Sequence, residues 1–158
     1  MELSENRLLL AADSANLVMW EWDLNEGEIW VTPNRRVQLG LPASGQITFE
    51  DLMSRWHPDD RENVRQALKQ AIENGKGYRA EFRIVLADAG VRWISARGRV
   101  QRDERGEPMQ LLGVSVDITA RKEAEAIAQQ QRDELEQLRT IVSCRVPLQP
   151  QLAVFGLP

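Results

Sequence analysis

Between Tyr78 and Thr119 the chain carries three consecutive segments with the twofold alternation of strands, and the turns between them are only a few residues long. YRAEFRIVL (78–86) leads through Asp88-Ala89-Gly90 into VRWISARGRV (91–100), and a turn across Asp103 to Pro108 leads into MQLLGVSVDIT (109–119). A parallel return needs a crossover of a dozen or more residues. Connections this short therefore dictate an antiparallel meander. Such a sheet must have one face covered, and the rest of the chain has to supply the cover.

The preceding residues do so in two stages. In LVMWEWDL (17–24), Val18, Trp20 and Trp22 alternate with Met19, Glu21 and Asp23, and Asn25-Glu26-Gly27 turns the chain into EIWVT (28–32). That pattern predicts a hairpin. From Pro33 to Asn74 the spacing changes to helical. NRRVQLGL, closed by Gly40 and Pro42, reads as a short helical turn, and Thr48-Phe49-Glu50-Asp51 as the start of a helix over FEDLMSRW. Asp59 or Asp60 opens a longer helix in which Val64, Leu68, Ala71 and Ile72 share one face, with Gly75 as its C-terminal stop. The order β-β, short helices, β-β-β specifies an α+β domain with a five-stranded antiparallel sheet and helices on one side.

Both flanks read as helix. Residues 5–16, within an N-terminal flank of 1–16, are rich in leucine and alanine and end plausibly at Asn16. After the domain of residues 17–119, segment 120–142 holds no glycine or proline. There Ala124, Ala128, Gln131, Leu135, Leu138 and Val142 step alternately by four and three, the seam of a coiled coil. The remainder, 143–158, has three prolines and no period, and is expected to be irregular.

Composition removes several classes of function. The net charge of −4 gives no electrostatic support for binding nucleic acid. No apolar run approaches the roughly 20 residues that span a bilayer, so a cytoplasmic location is expected. One cysteine, Cys144, and one histidine, His57, rule out an internal disulfide, a cysteine or histidine metal cluster and little short of every histidine-centred triad. No Gly-rich phosphate loop and no kinase nucleotide motif occurs, so the chain is not expected to be an enzyme.

The order of elements, together with several local strings, resembles the PAS domains of the fold-3 subgroup. MWEWDLNEGEIWV is similar to their opening hairpin and HPDDRENVRQAL to the start of their longest helix. EFRIVLADAGVRWISARGRVQRDERGEPMQLLGVSVDITARKEAE resembles their C-terminal PAC motif. The resemblance covers residues 5–123. It implies a sensory and dimerising module, pairing in parallel and placed upstream of an effector: a histidine kinase of a two-component system, a diguanylate cyclase or a transcriptional regulator. It also implies that Asp117, Ile118 and Thr119 relay a signal from the last strand into the following helix. Thr119 is independently a good helix N-cap.

The same resemblance frames the cofactors, whose identity the sequence leaves open. Some PAS sensors bind haem through a histidine inside the long helix, near Asn63 or Val64 here, whereas His57 precedes Pro58 at a turn and reads as structural. Light-sensing members carry a flavin-reactive cysteine in an N-C-R-F string that this chain lacks, and Ser115 stands about where they place a glutamine that contacts the flavin. Alternation nominates Trp20, Trp22, Leu68, Ile72, Phe82 and Ser115 as the lining of a pocket for a small molecule. The competing reading of the tryptophans is plain core packing. Arg97, Arg99, Arg102 and Arg105 read as a solvated surface, and Asp59 and Asp60 as complements to a helix dipole.

Overall fold

A computed structural model describes residues 2–88 and 90–145 of the 158, with side chains described from Glu5 to Cys144 within them. The chain divides into two compact units, Met1–Thr119 and Ala120–Pro158.

The first unit opens with helix α1 (Glu2–Ser14), which starts three residues before the expected range. Its end is a Schellman motif. Asn16 adopts a left-handed φ of 56°. Its N–H donates to the Asp13 carbonyl at 3.1 Å, and the Leu17 N–H donates to the Ala12 carbonyl at 2.8 Å. Strands β1 (Val18–Asp23) and β2 (Ile29–Val31) form the expected hairpin. A 3-10 turn (Pro33–Leu39) ends at Gly40, and helix α2 (Phe49–Arg55) begins with a full capping box. In that box the Thr48 hydroxyl accepts from the Asp51 N–H, and the Asp51 carboxylate accepts from the Thr48 N–H. After a short turn (Pro58–Asp60) comes helix α3 (Arg61–Asn74), closed by left-handed Gly75.

Strands β3 (Tyr78–Leu86), β4 (Gly90–Arg102) and β5 (Pro108–Asp117) complete a five-stranded antiparallel sheet in the order β2-β1-β5-β4-β3. The meander is continuous, but the two ends of the domain meet where β1 pairs with β5, Trp20 opposite Gly113 and Val18 opposite Ser115. On the inner face Trp20, Leu111, Ile94, Ala96, Phe82 and Ile84 meet Val64, Leu68 and Ala71 of α3 in one apolar cluster. Val18, Ile29, Val31, Leu41 and Ile47 form a second cluster at the hairpin end.

Helix α4 (Thr119–Arg145) starts on the last residue of the first unit, and its remaining described residues belong to the second. It continues three residues past the expected end at 142, because Ser143, Cys144 and Arg145 contain no helix breaker and the first proline is Pro147. The rest of the tail expected to be irregular lies outside the described residues.

The two acidic residues at the start of α3 do different things. Asp59 is exposed, but Asp60 reaches across to β3, where its carboxylate accepts from the Arg83 N–H at 2.8 Å and from the guanidinium at 2.9 and 2.7 Å. The Arg83 guanidinium lies 5.3 Å from the centre of the Trp93 ring. Arg102 is likewise more than solvated surface: it donates to the Ile72 carbonyl at the end of α3 and to the Gly106 carbonyl, both at 2.9 Å.

Candidate ligand cavity and relay

Between the sheet and α2–α3 lies a small cavity of about 70 Å³, walled almost wholly by apolar side chains. Its walls grow from the alternation of the strands: Trp20 and Trp22 from β1, Phe82 and Ile84 from β3, Ala96 from β4, and Leu111 and Ser115 from β5. The helices contribute Phe49, Leu52, Arg55 and Leu68. A run of ring contacts holds one side together. Trp22 stacks on Phe49 at 5.0 Å, Phe49 meets Trp56 edge-on at 5.7 Å, and Trp56 meets Phe82 at 5.6 Å.

On the other side Trp20 turns its edge to Tyr78 at 6.0 Å, and its indole N–H donates to Ser115 Oγ at 3.0 Å. Two glycines make room for this ring. A Cβ at Gly113 would stand 2.1 Å from Trp20 Cζ2 and 2.5 Å from the Arg97 carbonyl oxygen. A Cβ at Gly98 would stand 2.9 Å from Trp20 Cη2.

The structure thus brings Trp20, Trp22, Leu68, Phe82 and Ser115 to one cavity and leaves Ile72 out. Ile72 is half-buried in a separate shallow groove beside Trp22, Phe49 and Lys69. It lies one turn beyond Leu68 on α3, at the margin of the inward stripe whose centre is Val64, Leu68 and Ala71. Trp56, Phe49, Tyr78 and Leu111 line the cavity without having been nominated from the sequence. Tyr78 opens its strand and shares the parity of Phe82, a signal that alternation could have supplied. Trp30 is exposed at 39% and Trp93 sits against Arg83, so neither belongs to the cavity. His57 caps the turn before α3, its Nδ1 accepting from the Asp59 N–H at 3.2 Å, and does not line the cavity. A space of about 70 Å³ is below the ~150 Å³ that takes up benzene. Haem and flavin do not fit it.

From Ser115 strand β5 runs two residues to Asp117, where a compact knot forms. Asp117 Oδ1 accepts from the Thr119 N–H at 2.9 Å and from the Thr119 hydroxyl at 2.6 Å. The Trp93 N–H donates to Thr119 Oγ1 at 2.9 Å, and the Ile118 N–H to the Trp93 carbonyl at 2.8 Å. Arg92 Nε donates to Asp117 Oδ2 at 2.8 Å. Partial burial pushes the Asp117 carboxyl up, but the hydrogen bonds from Thr119 and Arg92 outweigh it and hold the group below the ordinary carboxylate range. Asp117, Ile118 and Thr119 therefore tie the end of β5 to β4 at the point where α4 starts.

A sheet with helices on one face, an internal aromatic cavity and a polar knot at the sheet's exit define an α+β module built around a cavity. The family described as the PAS fold matches residues 39–115. The chain is 30% identical to a sensory box histidine kinase/response regulator from Burkholderia thailandensis E264, covering 83% of this chain and 98% of that solved chain with a TM-score of 0.71. It is 35% identical over 129 residues to a non-motile and phage-resistance protein of Caulobacter vibrioides, covering 80% of this chain and 15% of that protein. It is 33% identical over 106 residues to the sensor protein FixL of Bradyrhizobium diazoefficiens, covering 67% of this chain and 21% of that protein. The chain belongs to the PAS family. It spans about a fifth or less of the length of these two curated relatives. No helix among the described residues is long and apolar enough to cross a membrane.

Proposed function

We infer that this chain is the sensory and dimerising module of a signal-transduction protein, a sensor histidine kinase in the first instance, and that it couples occupation of its cavity to α4. The observation that carries this reading is the Trp20–Ser115 hydrogen bond. It joins the cavity wall to the strand that ends, two residues on, in the Asp117–Thr119 knot. A ligand that engages the Ser115 hydroxyl changes the bond by which Trp20 holds β1 to β5, and the knot passes that change to the start of α4. Bond-making chemistry belongs to a separate effector, and the module works in the cytoplasm.

Dimerisation through α4 is supported by the exposure of its apolar seam. Leu135, Leu138 and Val142 are 61%, 57% and 63% exposed. With Ala128, Leu135 and Val142 at heptad positions a, and Ala124, Gln131 and Leu138 at d, Glu134 falls at g and Arg139 at the next e. Parallel, in-register copies then set Glu134 of one opposite Arg139 of the other, a pairing that an antiparallel arrangement lacks.

A second reading is supported by the small size of the cavity: a ligand-free module that only dimerises and positions an effector such as a diguanylate cyclase or a transcriptional regulator. Native and denaturing mass spectra of the freshly purified chain, beside its visible absorption, test both. A dimer carrying a stoichiometric small component lost on denaturation is the expected result for the sensor. A dimer at the bare polypeptide mass shifts the case to the second reading. A strict monomer, both alone and fused to an effector, overturns the shared claim of dimerisation.

A further inference from the structure

Two residues of the cavity wall, Tyr78 and Ser115, carry hydroxyl groups whose hydrogen-bonding capacity the fold does not fully use. Tyr78 is 5% exposed and lines the cavity, and its hydroxyl finds no hydrogen-bond partner among the described residues. The buried side-chain atoms without a partner among the described residues are Arg35 Nε and Arg36 Nε, so the Tyr78 hydroxyl, which is not among them, opens on accessible space. Burial pushes its pKa up, so it stays a neutral phenol across the physiological range. Ser115 is also 5% exposed. Its oxygen accepts from Trp20, which leaves its own O–H free to donate.

The sheet register explains why the two can serve one ligand. Ser115 stands opposite Ala96 on β4, and Tyr78 stands opposite Gly98, two residues along from Ala96. Ala96 is itself in the cavity wall and 2% exposed. Its partners across the sheet are Ala80 on β3 and Ser115 on β5, so only small side chains stand at this level of the wall.

Size and charge set the rest of the chemistry. A space of about 70 Å³, roughly half of the ~150 Å³ that takes up the six carbons of benzene, takes a molecule of about three non-hydrogen atoms, four at the limit. Arg55 is the one charged residue in the wall, and its Nε is already donating to the Gly40 carbonyl at 2.6 Å. The two hydroxyls are neutral, and no carboxylate lines the cavity to balance a cation. Resting on the sensor reading above, we propose that the cavity binds a small neutral oxygen-bearing organic molecule, of the short-chain alcohol, aldehyde or ketone class. Its oxygen accepts from the Tyr78 hydroxyl, with Ser115 as the second donor, and its carbon skeleton lies against Leu68, Phe82 and Trp56. With so few atoms the affinity is no tighter than tens of micromolar, at roughly the limit for very small ligands.

The test uses the whole 158-residue chain and follows the tryptophan indole N–H resonances by NMR during titration with propan-1-ol, propionate and xenon. Xenon reports whether an apolar space exists, and propan-1-ol whether its polar handles matter. The expected result is saturable shifts of the cavity tryptophans with xenon and with propan-1-ol. Tyr78→Phe should then weaken propan-1-ol about five- to tenfold, the loss of one hydrogen bond, and leave xenon within about twofold. Because the hydroxyl is unpartnered, Tyr78→Phe should also leave the unfolding midpoint unchanged or higher, so the readout is not confused by misfolding. Equal propan-1-ol binding by wild type and Tyr78→Phe overturns the proposal while the pocket stands. Tighter binding of propionate than of propan-1-ol also overturns it, in favour of Arg55 and an anion. No shift with either xenon or propan-1-ol overturns both this proposal and the sensor reading.

Discussion

The domain and α4 spend their apolar side chains in opposite ways. In the domain Leu111, Val31 and Val64 are at most 1% exposed, and the aromatic rings meet one another across the cavity. In α4 Ile127, Leu135, Leu138, Ile141 and Val142 are all at least half exposed. What holds that helix locally is a set of one-turn contacts such as Gln129 to Asp133 and Gln130 to Glu134, each worth about 0.2–0.5 kcal/mol. The first region contains its own hydrophobic reward, whereas the second gains one only when another surface covers it. Stability is thus concentrated in the domain, while α4 keeps an uncovered apolar stripe.

The sharpest way to break this contrast is to delete one large apolar side chain from each region. Trp56 is 6% exposed, packs between Phe49 and Phe82, and its backbone bridges to Ile84 on β3. Trp56→Ala should cost about 3–5 kcal/mol of unfolding free energy. Leu138→Ala should change the domain's unfolding by less than about 0.5 kcal/mol. All five tryptophans precede Ala120, so tryptophan fluorescence in urea reports on the domain alone. A comparable loss from both variants would show that the two regions fold as one cooperative unit.

The next largest effect is expected where the sheet has been thinned to admit a ring. Gly113→Ala places a methyl against both Trp20 and the Arg97 carbonyl. A tryptophan ring is rigid and a backbone oxygen in a paired strand cannot retreat, so overpacking should cost about 1–3 kcal/mol. It should also displace Trp20 from Ser115, which the indole N–H chemical shift of Trp20 would record. An unmoved indole signal would mean that the sheet, rather than the ring, gives way.

The route of the chain through this region was partly legible in its residues. Period-two alternation placed Trp20 and Trp22 on one face, Thr48-Phe49-Glu50-Asp51 marked a capped helix start, and Gly75 marked a stop, because these are local patterns with local causes. The pairing of β1 with β5 is not local. Trp20 faces Gly113 across ninety-odd positions of sequence, and only the complementary shapes of a large ring and a missing side chain reveal the match. Asp60 misled for the same reason: next to a helix start it resembles a dipole complement, and its actual partner Arg83 lies 23 residues away. Ile72 fitted the helical stripe but lay too near its margin to reach the cavity. Tyr78 shares the parity of Phe82 and so was within reach of the same alternation, although it opens its strand.

The same comparison extends to charge, where the smallest effect is expected. Asp60 and Arg83 form a doubly hydrogen-bonded pair whose side chains are only 15% and 29% exposed. On α4, Arg121 and Glu125 lie 3.6 Å apart but are 54% and 58% exposed. Water and salt screen the second pair to little measurable value. The hydrogen bonds from Arg83 hold the Asp60 carboxyl below its ordinary value of 3.8 despite partial burial. Because the folded state binds this proton less readily than the unfolded chain, the pair stabilises the fold fully above the unfolded pKa. That contribution drains away as the pH falls from 3.8 through the lower folded value. Asp60→Asn should therefore cost about 1–1.5 kcal/mol near neutral pH, since an amide keeps one acceptor for Arg83. The difference from wild type should shrink only below about pH 4, where wild type loses the charge as well. Glu125→Gln should be silent across the whole range. Urea denaturation of the three proteins at a series of pH values distinguishes the two cases, and a gap that stayed constant down to pH 2 would show that Asp60 acts through geometry rather than through its charge.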